Sequence, residues 1–279
     1  MQFEQIAIVG IGLIGGSVGL AAQARGLARH VVGIDPNEAT LHAALERGAI
    51  SRATTQLAEG VQQAQLVVVC TPVDRIVDVL RAAFPHAQAA LYTDVGSVKY
   101  GLAEAVEGQR PPEATYLPAH PLAGAEKSGV AYARADLFAQ RVTVVTPRRP
   151  NQTAAEQTII RFWEALGSHV VVMDAAEHDR VMAVTSHLPH AVASALAAIT
   201  PPAWLPFTAG GFRDSTRIAA SDPRLWAAIL AANRHYVRCA LEALIDRFTQ
   251  FRQLLATGDT AGLEQWLVEG KQVRDALGT

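Results

Sequence analysis

His120 is the residue in this chain best suited to moving a proton. An unperturbed imidazole titrates at about pH 6.5, close to the pH at which most enzymes work. Pro121 follows it and biases it toward extended backbone, which suits a side chain presented at the end of a strand. A turn histidine bonded to backbone is the alternative, and spacing alone does not choose between them. A second group is Asp94-Val95-Gly96-Ser97-Val98-Lys99, just after an apolar run. Ser97 could supply a hydroxyl to a site, or cap the helix that follows. In a third group, Ser186-His187-Leu188-Pro189-His190, the two imidazoles share a helix face. Pro189 cannot donate to the Thr185 carbonyl, so a kink is expected there. No third ligand accompanies the pair, which favours polar residues lining a cleft over a zinc site. The fourth group runs from Gly210 to Arg217, GGFRDSTR. Glycines ahead of Arg213, Asp214 and Arg217 suit a loop that sets a guanidinium on a carboxylate. The alternative is a helix N-terminus carrying surface arginines.

A glycine-rich stretch near the N-terminus indicates what positions these groups. Ile6-Ala7-Ile8-Val9 is an apolar run typical of a buried parallel strand. Gly10, Gly12 and Gly15 follow as G-x-G-x-x-G, and then Leu13, Ile14, Val18, Leu20 and Ala21 recur at helical spacing. In such a fingerprint the first glycine makes the tight turn, the second lets the backbone approach a pyrophosphate, and the third lets helix and sheet pack closely. The phosphates sit at the helix N-terminus, where unpaired N–H groups favour negative charge. A second apolar strand, His30 to Ile34, ends in Asp35, at the distance where the fingerprint expects a ribose-binding acid. Asp35 would repel a 2′-phosphate, and neither Pro36 nor Asn37 is basic, so NAD is expected over NADP. The expected cofactor-facing positions are Gly10, Gly12, Leu13, Ile14, Gly15, Asp35, and Thr71 and Pro72 at the end of the third strand, Leu66 to Cys70.

The remaining pattern implies a doubly wound α/β domain followed by helices. Strands are expected at Ala90–Thr93, Tyr116–Ala119, Val142–Thr146 and His169–Val172. Helices are expected at Glu38–Arg47, Asp74–Phe84, from near Val98, and at Thr153–Leu166. Alternating strands and helices give a parallel sheet with its loops gathered along one edge. From Asp174 the strand signals stop, and helices are expected over Ala176–Ile199, Pro223–Ala256 and Ala261–Leu277. The division therefore falls between a Rossmann-type domain, 1–173, and an all-α substrate and dimerisation domain, 174–279. The late helices carry Trp226, Ile229, Leu241, Leu244, Phe248 and Phe251, more apolar groups than one side of a two-layer domain can cover.

Composition narrows the classes of partner. The chain has 279 residues, half of them hydrophobic, and a net charge of −2, which gives no pull toward nucleic acid or an anionic membrane. Its two cysteines, Cys70 and Cys239, have no metal or redox spacing, and the first strand begins within a few residues of Met1 with no signal peptide ahead of it. A cytoplasmic setting is expected. The stretch 181–212 lacks Asp, Glu, Lys and Arg, but its prolines and histidines leave a clean apolar part far short of the roughly 20 residues a membrane span needs.

Taken together and in this order, the motifs resemble those of the prephenate/arogenate dehydrogenases of the tyrosine pathway. The resemblance covers essentially the whole chain. It rests on V-G-x-G-L-I-G-G-S, D-V-G-S-V-K, H-P-L-A-G-A-E-K-S-G, S-H-L-P-H, and G-G-F-R-D-S-T-R-I-A with S-D-P-x-x-W after it. It implies a Rossmann domain, a helical domain that forms a homodimer, NAD as cofactor, and an active site between the domains. By position, His120 resembles the catalytic histidine and Ser97 the serine that helps hold it. Arg217 resembles the arginine that binds a substrate carboxylate. Glu126, Asp214, His187, His190 and Trp226 resemble residues that line or gate the pocket, with Arg213 beside them. Some relatives carry a regulatory domain, whereas this chain ends soon after the helices, so tyrosine control would act at the active site or be absent. Prephenate is the expected substrate. Arogenate, which bears an amine in place of the keto oxygen, is the alternative, and a dinucleotide-binding sensor without catalysis is a remote one.

Overall fold

The computed structural model describes residues 2–124, 127–149 and 152–278. Its strands are β1 Phe3–Val9, β2 Ala28–Ile34, β3 Arg52–Thr54, β4 Leu66–Val69, β5 Leu91–Asp94, β6 Thr115–Tyr116, β7 Ala119–Pro121, β8 Val142–Val145 and β9 His169–Val172. The helices of the first half are α1 Leu13–Ala24, α2 Glu38–Glu46, α3 Leu57–Val61, α4 Ile76–Ala83, α5 Tyr100–Glu107 and α6 Ala154–Ala165. Those of the second half are α7 Ala175–Met182, α8 Leu188–Ala198, α9 Gly210–Thr216, α10 Pro223–Ala232, α11 Arg234–Thr257 and α12 Thr260–Ala276. The chain forms two compact units, residues 1–233 and 234–279.

β1 to β6 form a parallel sheet in the order β3-β2-β1-β4-β5-β6. The chain winds outward in one direction to β3, then returns to β4 beside β1. This is the switch point where doubly wound sheets bind ligands. Val9 pairs with Ile34 and with Val69, and Val69 pairs with Asp94. That register lines up Gly10, Asp35, Cys70 and Val95 along one carboxyl edge. The strand period of two sends Ile6, Ile8 and Val68 to one face, under Phe162 and Trp163 of α6. Ala7, Val9 and Val67 go to the other, beside Tyr92 of β5 and under Leu80 of α4. Full burial on both faces is why these strands are continuously apolar.

Several features depart from the sequence expectation. The expected strand Tyr116–Ala119 is two short strands, β6 and β7, in different sheets, and the expected helix Pro223–Ala256 is broken at Asn233 into α10 and α11. The last three strands do not extend the main sheet. They make a second sheet, β7-β8-β9, in which β7 runs antiparallel to β8. Its core-facing residues have the same apolar period as a parallel edge, so the sequence does not separate the two arrangements. β3 and α3, three and five residues long, also went unread, being too short to carry a period.

The expected helix over Ala176–Ile199 is present, but a wide π turn, Ala183–His187, separates α7 from α8. By length and hydropathy the run Ala175–Ala198 could cross a membrane. Its buried His178, Asp179 and His187 are instead bonded to other elements of this unit. Residues 234–279 form a helical hairpin. Phe251 packs on Trp266 at 4.8 Å, and Arg247 bridges to Glu269 at 2.8 Å.

Candidate active site

The glycine loop has the shape of a phosphate cradle. Gly10 has φ +90°, a left-handed conformation, and a Cβ there would meet the Cys70 carbonyl at 2.9 Å. A Cβ on Gly15 would lie 2.0 Å from the Gly10 oxygen, so the loop closes only with glycine at that position. Gly12 caps α1 without a side-chain hydrogen bond, and nothing lies within 4 Å of where its Cβ would be. The space beside the start of α1 is therefore open, and a helix N-terminus is where a phosphate binds. Asp35 accepts from Ile11 N and Asn37 N, both at 2.9 Å, which holds its carboxylate beside the loop. The Thr71 hydroxyl oxygen is buried and has no partner among the described residues. An uncapped helix N-terminus, a fixed acid and this hydroxyl along one sheet edge fit a dinucleotide.

Next along this edge, Asp94 ends β5 and is fully buried. One carboxylate oxygen accepts from Ala119 N at 3.0 Å and from the Tyr116 hydroxyl at 3.2 Å. The other accepts from Gly96 N at 3.0 Å and from Lys99 Nζ at 2.5 Å. Lys99 is also fully buried. Burial pulls its ammonium below the usual range, and the Asp94 carboxylate opposes that. Burial and Asp94 together push the Tyr116 phenol well up. Asp94 thus ties β5, β6 and β7 together, and its bond to Ala119 N places His120 beside the carboxyl edge.

The half-buried ring of His120 meets α7. Its Nδ1 lies 2.9 Å from Nε2 of His178, and His178 Nδ1 lies 2.7 Å from Asp179 Oδ1. Asp179 also accepts from Lys99 N at 2.8 Å and Tyr100 N at 3.0 Å, at the start of α5. Asn233 Nδ2 donates to the Asp179 carbonyl at 2.8 Å and lies 3.0 Å from His187 Nδ1. His190 stacks on Trp226, with ring centroids 3.3 Å apart. Burial, then His178, Lys99 and His187, hold His120 well below the ordinary imidazole range. Burial lowers His187 to about 4. Both shifts favour the uncharged ring at His120 and His187, and an uncharged His120 can accept a proton. Among the described residues, no group of three or more His, Cys, Asp or Glu side chains could hold a metal ion.

Two family models match this chain. The one described as prephenate dehydrogenase, nucleotide-binding domain, covers residues 18–172, and the one for the dimerization domain covers 174–269. The chain is 32% identical to a prephenate dehydrogenase of Bacillus subtilis over 98% of its own length and 76% of that protein's. This chain belongs to the prephenate dehydrogenase family. It is also 33% identical to a cyclohexadienyl dehydrogenase of Zymomonas mobilis, over 99% and 97% of the two chains. A crystal structure of prephenate dehydrogenase from A. aeolicus, in complex with hydroxyphenyl propionate and NAD+, matches with a TM-score of 0.92 at 30% identity, covering 99% of each chain.

In this family member the structure gathers His120, His187, His190 and Trp226 into one cluster and adds His178, Asp179, Lys99 and Asn233 to it. Ser97 does not cap the helix that follows it. The helix after it is capped at Lys99, with Asp179 of α7 receiving the first N–H groups. His120 Nδ1 is engaged by His178, and among the described residues Ser97 makes no hydrogen bond. The segment 210–217 is not the expected loop. It is α9 running into a 3-10 turn, with Arg213, Asp214 and Arg217 exposed. Glu126 lies outside the described residues. His178 and Asp179 escaped the sequence reading because His-Asp in the polar helix segment AAEHDR looks like solvated surface. In an unbroken α-helix, the nine residues from His178 to His187 turn through roughly 900°, which leaves the two on opposite sides. The π turn removes about one residue from that count and brings the two to within about a quarter turn of each other.

Proposed function

We infer that this chain catalyses the NAD-dependent oxidative decarboxylation of prephenate to 4-hydroxyphenylpyruvate. The observation that carries this is the position of His120, held at the carboxyl edge beside a dinucleotide cradle through Asp94 and Ala119 N and engaged at Nδ1 by His178. Gly10, Gly12, Leu13, Ile14 and Gly15 would hold the pyrophosphate, Asp35 the ribose, and Thr71 and Pro72 the neighbouring wall. The chemistry that bound NAD supplies is acceptance of a hydride from C4 of the substrate ring. His120 accepts the C4 hydroxyl proton, and breaking the bond to the ring carboxylate as CO2 leaves the ring aromatic. Arg217 pairs with a substrate carboxylate. His187, His190 and Trp226 form a wall of the pocket, with Arg213, Asp214 and Glu126 at its rim and Ser97 near the base. Following NAD reduction by the purified protein with prephenate and with arogenate tests this reading. No turnover of either would leave only the dinucleotide-binding sensor. The likeness to a cyclohexadienyl dehydrogenase supports including arogenate, and faster turnover of arogenate would reverse the substrate assignment.

Asp35 leads to a cofactor preference. NADP would bring a 2′-phosphate against a fixed carboxylate and lose a charge-assisted hydrogen bond. Such a bond is worth about 1.5–3 kcal/mol, so kcat/KM should favour NAD by roughly ten- to hundredfold. Equal values for the two cofactors would show that Asp35 does not face the ribose. The same arithmetic applies to Arg217→Ala, which should raise the KM for prephenate roughly ten- to hundredfold with little change in the KM for NAD. An unchanged KM would move the carboxylate contact to Arg213.

The working division between the dinucleotide-binding domain and the substrate and dimerisation domain is at 173/174, supported by the two family models meeting there. The helical domain is proposed to form a cytoplasmic homodimer. Leu241, Ile245 and Phe248 on α11 and Leu267 and Val273 on α12 are exposed. Two of the six apolar residues first assigned to the interface belong elsewhere, because Ile229 is buried and Trp226 packs beside it within the chain. A two-fold partner presenting the same helices would cover the exposed set, across roughly 2,000 Å2 or more. Light scattering at low micromolar concentration should give twice the chain mass, and an active monomer would rule the dimer out.

A further inference from the structure

We propose that His178 and Asp179 are a positioning pair that keeps His120 in its Nδ1–H tautomer, so that Nε2 is the nitrogen that takes the proton. This rests on the reading of His120 as the base. Asp179 sits at the first N–H groups of α5, accepting from Lys99 N and Tyr100 N. Both carboxylate oxygens of Asp179 are thus acceptors, and the one bonded to Lys99 N is also the one 2.7 Å from His178 Nδ1, so that nitrogen carries the proton. A neutral imidazole has one N–H, which leaves His178 Nε2 as an acceptor. The 2.9 Å contact between that nitrogen and His120 Nδ1 is then a hydrogen bond only if His120 Nδ1 carries the proton. Nε2 of His120 is therefore the bare nitrogen.

The arrangement also fixes the ring's direction. His178 is fully buried and Asp179 is 2% exposed, whereas His120 is only half-buried. Without an acceptor at Nδ1, the His120 ring could turn over, or hold its proton on the nitrogen that should receive one. The π turn contributes by placing Asn233 across the Asp179 carbonyl and His187, which ties α7 to the rest of the cluster. Each member of the chain thus orients the next, and none but His120 needs to touch the substrate.

Nitrogen-15 NMR of the full-length protein, labelled in histidine, reads the tautomers directly. The His120 signals are identified by their loss in His120→Asn. At neutral pH without substrate, His120 should show a protonated, pyrrole-type Nδ1 and a bare, pyridine-type Nε2, and His178 should show the same pattern. A protonated Nε2 on His120, or a doubly protonated His178, overturns the proposal. Kinetics supply a second reading. His178→Phe removes the acceptor and should lower kcat by about 10²-fold, with the KM values for prephenate and NAD within about threefold of the parent. His178→Gln restores an acceptor near the Nε2 position and should recover at least about tenfold of that loss. Equal kcat in the Phe and Gln variants would count against positioning through a hydrogen bond. If His178→Phe does not fold, the tautomer measurement on the unaltered protein still decides. Failure to oxidise prephenate or arogenate would sink the proposed function while leaving the tautomer result intact, so the two readings fail separately.

Discussion

His120→Asn is expected to lower kcat by about 10²–10⁴-fold, the range for loss of a general acid–base group, while NAD binding followed by fluorescence stays unchanged. The asparagine keeps a polar group of similar size near His178 but cannot take a proton in this pH range. The cradle is built from β1, α1, β2 and β4, none of which bonds to the His120 side chain. The pH profile of the unaltered protein supplies a second check. Activity requires neutral His120, and burial with His178, Lys99 and His187 around it pushes its proton affinity down. The rate should therefore persist as pH falls through about 6.5, the value for free imidazole, and decline only at lower pH. A variant that keeps most of its turnover would place the base elsewhere. An acid limb at or above 6.5 would show that the cluster does not act on His120 as its burial implies.

Lys99→Met should destabilise the fold by about 3–5 kcal/mol, the usual cost of removing one partner from a buried ion pair. Asp94 and Lys99 are both fully buried, so the carboxylate left behind would lack its cation. Asp94 would retain Gly96 N, Ala119 N and the Tyr116 hydroxyl, which soften the loss but carry no full positive charge. Urea denaturation of the cofactor-free protein measures the change. Asp94→Asn combined with Lys99→Met should recover part of it, because no charge is then stranded in the core. A loss below about 1 kcal/mol would place the pair in the range of exposed salt bridges. Because Asp94 also holds Ala119 N, the single variant should lower kcat as well, through displacement of His120.

What could be read from the sequence is what local physics determines. Alternating apolar strands and helices are legible because burial on both faces writes continuous apolar runs at β1 and β4. The cradle is legible because Gly10 needs a positive φ and Gly15 has no room for a Cβ, conditions that restrict residue type at single positions. Asp35 is legible by its distance from those glycines, and His120 by the proline beside it and by the run of motifs that the family shares.

The partners of these residues depended on contacts between segments far apart in the chain. Ser97 looked like the neighbour of His120, yet the structure places His178 there, 58 positions on in the chain. Asp94 and Lys99 lie within one motif, but nothing local says that both will be buried and paired, since that depends on β6, β7 and α7 closing over them. Trp226 and Ile229 read as interface residues because their apolar character is plain and their cover is not, and α10 turns them inward. Pro189, which cannot donate to the Thr185 carbonyl, marks an irregularity in this helix, but nothing local says that it takes the form of a wide turn at Ala183–His187 or that His187 then meets Asn233.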